Sequence, residues 1–529
     1  MAKKFLKILS LVLALLLVFC ACGTPSTAPG NNTNNSGNAN EGANTNTQPP
    51  AAKKHMNAAI YWSAATIDPA VEYDGWTSCR AGITETLVSI NDKLELVPML
   101  SDTWEQKNAT TWVMHIRDGV TFHNGKAVDA AAVKACFERT MKIQQRAVTA
   151  CKIESIEADG QTLTIHTSEP FGAFLANLTE PLYSVIDVSD PADPATAPVG
   201  TGPFMVTKFE PEEVIELAAY PGYWNGASPI DTVSLMTISD NSSRLKALQA
   251  GQIDIGQRIG GADIETLRND PNYAVYETAG TRIRILIPNQ TNPFLADVNV
   301  RKALEYSLNY DALLKIMGDT FSKAGAPFPS SAPYGYDKLE IQHYDLEKAK
   351  ECLKTAGFED KDGNGFVEKD GKELALTLIY SDTSMNTVLE SVQFQAKAAG
   401  INIVLKPMDS IPEVTDTDVP YDLMLRNTQS LSTGDPQWLL DNMFKSTGSS
   451  NFAHYNNPEM DAICNDLSGA FDFATRQKLT IKAEELILKD SVQIMLFSQN
   501  NFIMANNKVK NVPVFPIDYY FLTNTMDID

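Results

Sequence analysis

The amino-acid sequence predicts a mixed α/β protein built as two lobes. Three observations point there. Segments of period 2 and period 3.6 alternate in two separate β-α-β series, one ending near Gln257 and one beginning near Leu374. No repeat relates the two series. The chain has 529 residues, more than one hydrophobic core ordinarily organises.

The first fifty residues stand apart from both series. Lys3, Lys4 and Lys7 precede an apolar stretch from Ile8 to Cys22, broken only by Ser10. That is shorter than the roughly 20 residues of a spanning helix, and it has the length and flanks of a signal-peptide core over residues 1–21. Ala21-Cys22-Gly23 resembles a bacterial lipobox, although Phe19 and Cys20 depart from the usual pattern. The resemblance implies a lipid on Cys22 and a body held at the extracellular face of the cell membrane. A secreted protein cut near Ala21 is the alternative. The Asn/Thr/Gly/Pro-rich run that follows cannot bury a core, so residues 22–56, His55 included, read as the lipidated cysteine and a flexible tether.

Within the body, "TWVMHIRDGVTF" and "QTLTIHT" alternate as strands do. "VDAAAVKACFERTMK" is helical by period and begins at Asp129. "SSRLKALQAG" is a short helix capped by Ser242 or Ser243 and closed by Gly251, set between the strands "DTVSLMTI" and "IDIGQ". "VNVRKALEYSLNYDALLKIM" reads as one long amphipathic helix, and "YDLEKAKECLKTAG" as another, closed by Gly357. "LALTLIY", a helix around Thr387–Ala399, "INIVLKP" and "YDLML" make the second series.

Charge and motifs exclude several function classes. A net charge of −22 repels nucleic acid and anionic lipid, which leaves the lipid as the body's only membrane contact. There is no H-E-x-x-H, C-x-x-C or G-x-S-x-G motif. "GVTFHNGKA" has one residue too many for a P-loop and Ala127 where Ser or Thr must stand, and "GTGPFM" lacks its third glycine. "DKDGNGFVEKDG" starts like a calcium loop at Asp360, Asp362 and Asn364, yet Gly371 replaces the bidentate Glu, so a turn-rich hairpin is expected. Cys79, Cys136, Cys151, Cys352 and Cys464 are scattered and odd in number. Buried free thiols are the expectation, with Cys136 and Cys151 the closest pair. No enzymatic activity and no cofactor are expected. A secreted hydrolase or a cell-surface scaffold are the rival classes.

A family becomes recognisable from many short motifs in order: "TIDPA", "ITETLVSIN", "LVPMLSDTWE", "APVGTGPF", "GYWNG", "NPFLADVNVRKALEYSLN", "YDLEKAKECLKTAGF" and "FAHYNNPEMDAI". Together they resemble the family 5 extracellular solute-binding proteins of ABC importers for peptides and nickel. The resemblance implies a two-lobed periplasmic-binding-protein type II fold with an extra subdomain in the first lobe. It implies lobe I over residues 57–95 and 199–278, the subdomain over 96–198, lobe II over 279–494, and a return to lobe I over 495–529. It also implies a monomer that captures a small-molecule solute, a metal chelate or short peptide, and delivers it to permease subunits.

The same resemblance points to the ligand-binding residues. Peptide receptors of the family neutralise the peptide α-amine with an Asp, where this chain has Ser432. Nickel-type members clasp chelate carboxylates with an Arg, matched here by Arg146, although Thr149 and Leu182 stand where a further aromatic and Arg would be. Arg426 and Asn427 follow the "YDL" strand and are expected to face the crevice. Glu72, Tyr73 and Trp76 lie where first-lobe contacts arise, and Asp518 and Tyr519 lie on the returning segment. His454 is the candidate for a direct metal ligand. These residues favour a carboxylate-bearing solute, a nickel-type chelate ahead of an oligopeptide or dipeptide, with Glu72 and Asp518 available to an amine in the second case.

Overall fold

The computed structural model describes residues 53–259, 264–412 and 419–529; the signal, Cys22 and most of the tether lie outside them. The strands that position the site are, in chain order, β1 (His55–Ile60), β2 (Ser101–Asn108), β3 (Thr111–Ile116), β4 (Ile153–Asp159), β5 (Thr162–Thr167), β6 (Phe204–Glu210), β7 (Val214–Ala219) and β8 (Thr232–Thr237). They continue as β9 (Ile255–Gln257), β10 (Tyr273–Pro288), β11 (Phe321–Lys323), β12 (Ala375–Tyr380), β13 (Asn402–Pro407), β14 (Leu423–Gln429) and β15 (Ile494–Asn506). One sheet runs β13-β12-β14-β10-β15-β9-β1-β8-β7-β6, with β11 added to β15, and the subdomain carries a separate four-stranded sheet, β2-β3-β5-β4.

Two long strands join the lobes. The first half of β10 pairs with the end of β15, from Tyr273↔Asn506 to Ala279↔Asn500. A register shift follows between Ala279 and Arg282, after which β10 pairs with β14 as well, Arg282 opposite Gln429 and Arg284 opposite Asn427. Gly280 sits at the shift because a Cβ there would meet the Gln499 carbonyl oxygen at 2.3 Å.

Local chemistry explains most of the elements. Asp129 accepts from Ala132 N and caps the helix Ala130–Ile143. The helix Asn241–Gln249 is capped by Asp240, which accepts from Ser243 N, and not by Ser242 or Ser243, which lie inside it. The long helix expected from Val298 is two helices, Val298–Tyr306 and Tyr310–Met317, because Asn309 accepts from Ala312 N and starts a new one. His55, read as tether, is the first residue of β1, held by its pairing with Thr232. The segment from Asp360 folds as expected into turns, Asp360 accepting from Gly363 N and Gly365 N, ahead of the hairpin Glu368–Lys369/Lys372–Glu373. The five cysteines of the body are free thiols.

Three of the motifs that carry the resemblance converge on one buried carboxylate. Glu85 accepts from Thr201 Oγ1 at 2.7 Å, Tyr223 OH at 2.7 Å and Trp224 Nε1 at 3.1 Å. Burial pushes its carboxyl up to about 7 against those bonds. Through Glu85 these three motifs join the segments that carry them.

Candidate functional site

The two lobes meet along a shared core in which Ile90, Leu94, Ile517 and Tyr519 pack with Phe444, Phe452 and Ile487. Trp76 packs against this core and lies 5.1 Å from the Tyr519 ring. Tyr73, half exposed, meets Trp76 edge-on at 5.6 Å. The Arg146 guanidinium lies 4.5 Å from the Tyr73 ring, donates to the Glu72 carbonyl oxygen at 2.6 Å and pairs with Glu180. Glu72 itself is exposed, at φ 39°. These expected residues do come together. Glu180, which sequence reasoning missed, already balances the Arg146 charge; Arg146 therefore brings a flat cation stacked on Tyr73 but no net charge.

Beyond Trp76 lies a denser electrostatic cluster. Asp518 is buried, and its Oδ2 accepts from Tyr61 OH and Arg258 Nη2, each at 2.8 Å. Arg80 reaches the same oxygen at 3.4 Å and Arg282 at 3.7 Å. Burial opposes ionisation of Asp518, but Arg282, Arg258 and Arg80 outweigh it and hold the carboxyl far below the usual range. Asp518 Oδ2 is thus committed to Tyr61 and the arginines. Arg80 is fully buried and spans rings of Tyr61 and Trp76, at 5.2 and 5.7 Å. Next along β10, Arg284 stands 3.4 Å from Asp382. Burial pushes Arg284 down to about 10; Asp382 opposes this, and Arg282 and Arg258 add to it.

The strand pairing sorts the remaining expectations. Residues opposite one another in an antiparallel pair share a face, so Arg282, Arg284, Gln429, Asn427 and Gln499 lie on one face of the sheet at the register shift. Asn427 is exposed there, as expected. Arg426, one residue earlier, points to the opposite face, where it stacks 4.7 Å from the Phe452 ring and donates to the Pro412 carbonyl; it does not join the other arginines. His454 is exposed, at φ 48°, beside a groove of about 370 Å3 that Lys406 also lines. Among the described residues no group of three or more His, Cys, Asp and Glu is placed to hold a metal. A groove of about 720 Å3 on lobe II, between Lys302, Lys338, Tyr344 and Lys489, contains none of these residues. Arg80, Arg258, Arg282 and Arg284 were not singled out from the sequence; for Arg282 and Arg284 the signal is the i, i+2 arginine pair in "TRIRILIP".

Two lobes joined by paired crossing strands, with aromatic rings and arginines gathered where the lobes meet, define a receptor that encloses a small solute. The family described as bacterial extracellular solute-binding proteins, family 5, matches residues 95–451 in its middle region, and the chain belongs to that family. Its members are solute-binding proteins of ABC importers, and the chain is accordingly a binding protein and not an enzyme. The nickel-binding protein NikA of Staphylococcus aureus is 25% identical over 470 residues, covering 89% of this chain and 93% of its own. A glutathione-binding protein of Pectobacterium atrosepticum is 26% identical, covering 86% and 91%. The solved structure of a nickel ABC transporter protein from Bacillus halodurans matches with a TM-score of 0.79 and 33% identity over 90% of this chain and 100% of that one. Among the described residues no helix is long and apolar enough to cross a membrane.

Proposed function

We propose that this chain captures a small carboxylate-bearing solute, a nickel-type metal chelate ahead of a short peptide, and delivers it to the permease of an ABC importer. One observation carries the preference: two acids of the crevice, Asp518 and Glu180, are already matched by arginines. Asp518 is held by Arg258 and Arg80, and Glu180 by Arg146. Such a crevice opposes a bare cation and accepts a metal already wrapped in carboxylates. The nickel-binding relatives support this reading. The exposed Glu72 and the glutathione-binding relative support the second, a short peptide.

The test is calorimetric titration with nickel plus histidine or citrate, beside a dipeptide and tripeptide set. Chelate binding is expected. Tight binding of peptides with no response to any chelate would overturn the preference. The reading also places the receptor, as a monomer, on a lipid at Cys22, outside the described residues. Cys22→Ser should then release the protein from the membrane fraction into the medium, and a variant that stays with the membrane would exclude the anchor.

A further inference from the structure

We propose that Arg80, Arg258, Arg282 and Arg284 form a subsite for a polyanionic part of the solute, one with at least two carboxylates and a hydrogen-bond donor beside them. The inference rests on the reading of the crevice as the solute site and names the chemistry it selects.

The charges do not balance from within. Four guanidinium groups face two carboxylates, Asp518 and Asp382, at distances of 2.8 to 3.7 Å. Arg80 and Arg284 are buried and Arg258 and Arg282 mostly so, in surroundings where an uncompensated cation is costly. Their hydrogen-bonding capacity is unspent as well. Arg80 Nη1, Arg282 Nε and Arg284 Nη1 are buried and find no hydrogen-bond partner among the described residues. Guanidinium donors left over in pairs on a rigid strand match the fork geometry of carboxylates. Asp518 Oδ1 is likewise buried and unpartnered, so a donor is wanted beside the anions. A hydroxyl or amine next to a carboxylate supplies one.

Position adds a second argument. Arg80 closes the helix Gly75–Arg80 and Arg258 follows β9, both in lobe I, while Arg282 and Arg284 stand on β10 just past its register shift and Asp382 follows β12 in lobe II. Arg258 holds a left-handed backbone, φ 49°, which arginine rarely adopts without a local requirement. An anion bridging these groups contacts both lobes and the strand between them, and a ligand shifts a two-state closure only through such differential contacts.

The experiment titrates wild type, Arg284→Gln, Arg282→Gln and Arg284→Lys with citrate, nickel citrate, nickel–histidine, propane-1,2,3-tricarboxylate and a dipeptide, with thermal unfolding to confirm folding. Wild type should bind a tricarboxylate, citrate more tightly than its analogue without the hydroxyl. Each Gln variant should weaken citrate at least tenfold, and Arg284→Lys should recover part of the loss. Equal citrate binding by wild type and both Gln variants would overturn the subsite. So would a wild type that binds the dipeptide or nickel–histidine but no tricarboxylate, a result that leaves the receptor reading standing. A wild type that binds nothing in either panel would overturn both.

Discussion

Arg476→Ala is expected to lower the unfolding free energy of this protein by about 3–5 kcal/mol, the cost of leaving a buried charge without its partner. Arg476 lies in the helix Phe473–Lys489 and is almost fully buried. It grips Asp435 through Nε at 2.8 Å and Nη2 at 2.5 Å, and its Nη1 donates to the carbonyls of Leu467 and Ala470 at 2.7 and 2.8 Å. Removing it strands the Asp435 carboxylate and frees the turn between the helices Pro458–Ser468 and Phe473–Lys489. Asp435→Asn should cost less, because the guanidinium keeps its carbonyl acceptors. Urea unfolding checks both, and a loss under 1 kcal/mol for Arg476→Ala would contradict the account.

The second large effect falls on affinity. Gly172→Leu should weaken solute binding about a hundredfold, the factor that follows if the closed arrangement drops to about 1% of the population. Gly172, in the subdomain, donates through its backbone N to the Ser468 carbonyl of lobe II at 2.8 Å. A Cβ there would stand 2.1 Å from the Ala470 carbonyl oxygen and 2.3 Å from Arg476 Nη1. The first is backbone, and the second belongs to a side chain fixed by five hydrogen bonds, so neither yields and the two surfaces must part. The aromatic contact next to it, Trp112 against Phe471 at 6.3 Å, parts with them. Gly172 touches none of the crevice residues, so the loss reads closure rather than ligand contact. Titration measures the affinity and small-angle scattering the separation of the lobes; an unchanged Kd would contradict the prediction.

The sequence made some features legible because their causes are local. Asp129 before an apolar-periodic run and Gly357 after one mark helix ends by side-chain and backbone chemistry alone. The break at Asn309 was hidden because the apolar period continues through it: Leu308 is buried beside Leu304 and Leu313, and the cap competes with a pattern that looks unbroken. His55 was read as tether because only its pairing with a distant strand makes it β1. Residue type and chain position alone name Trp76, Asp518 and Tyr519 as candidates, and the structure brings Trp76 and Tyr519 together. Arg282 and Arg284 are not named in this way, since "TRIRILIP" has the alternation of any strand with one wet face, and nothing local says that this face is covered. The same period-2 rule could have shown that Arg426 and Asn427 point to opposite faces, so that only one of them joins the arginines.

The account stands on the claim that the crevice holds a small anionic solute. Native mass spectrometry of the full chain, purified from its own host under gentle conditions, tests this most directly. It should show the protein carrying one small molecule, released on denaturation and bearing two or more carboxylates, with or without a metal. A chain that flies bare, or carries only a cationic or uncharged molecule, would contradict it.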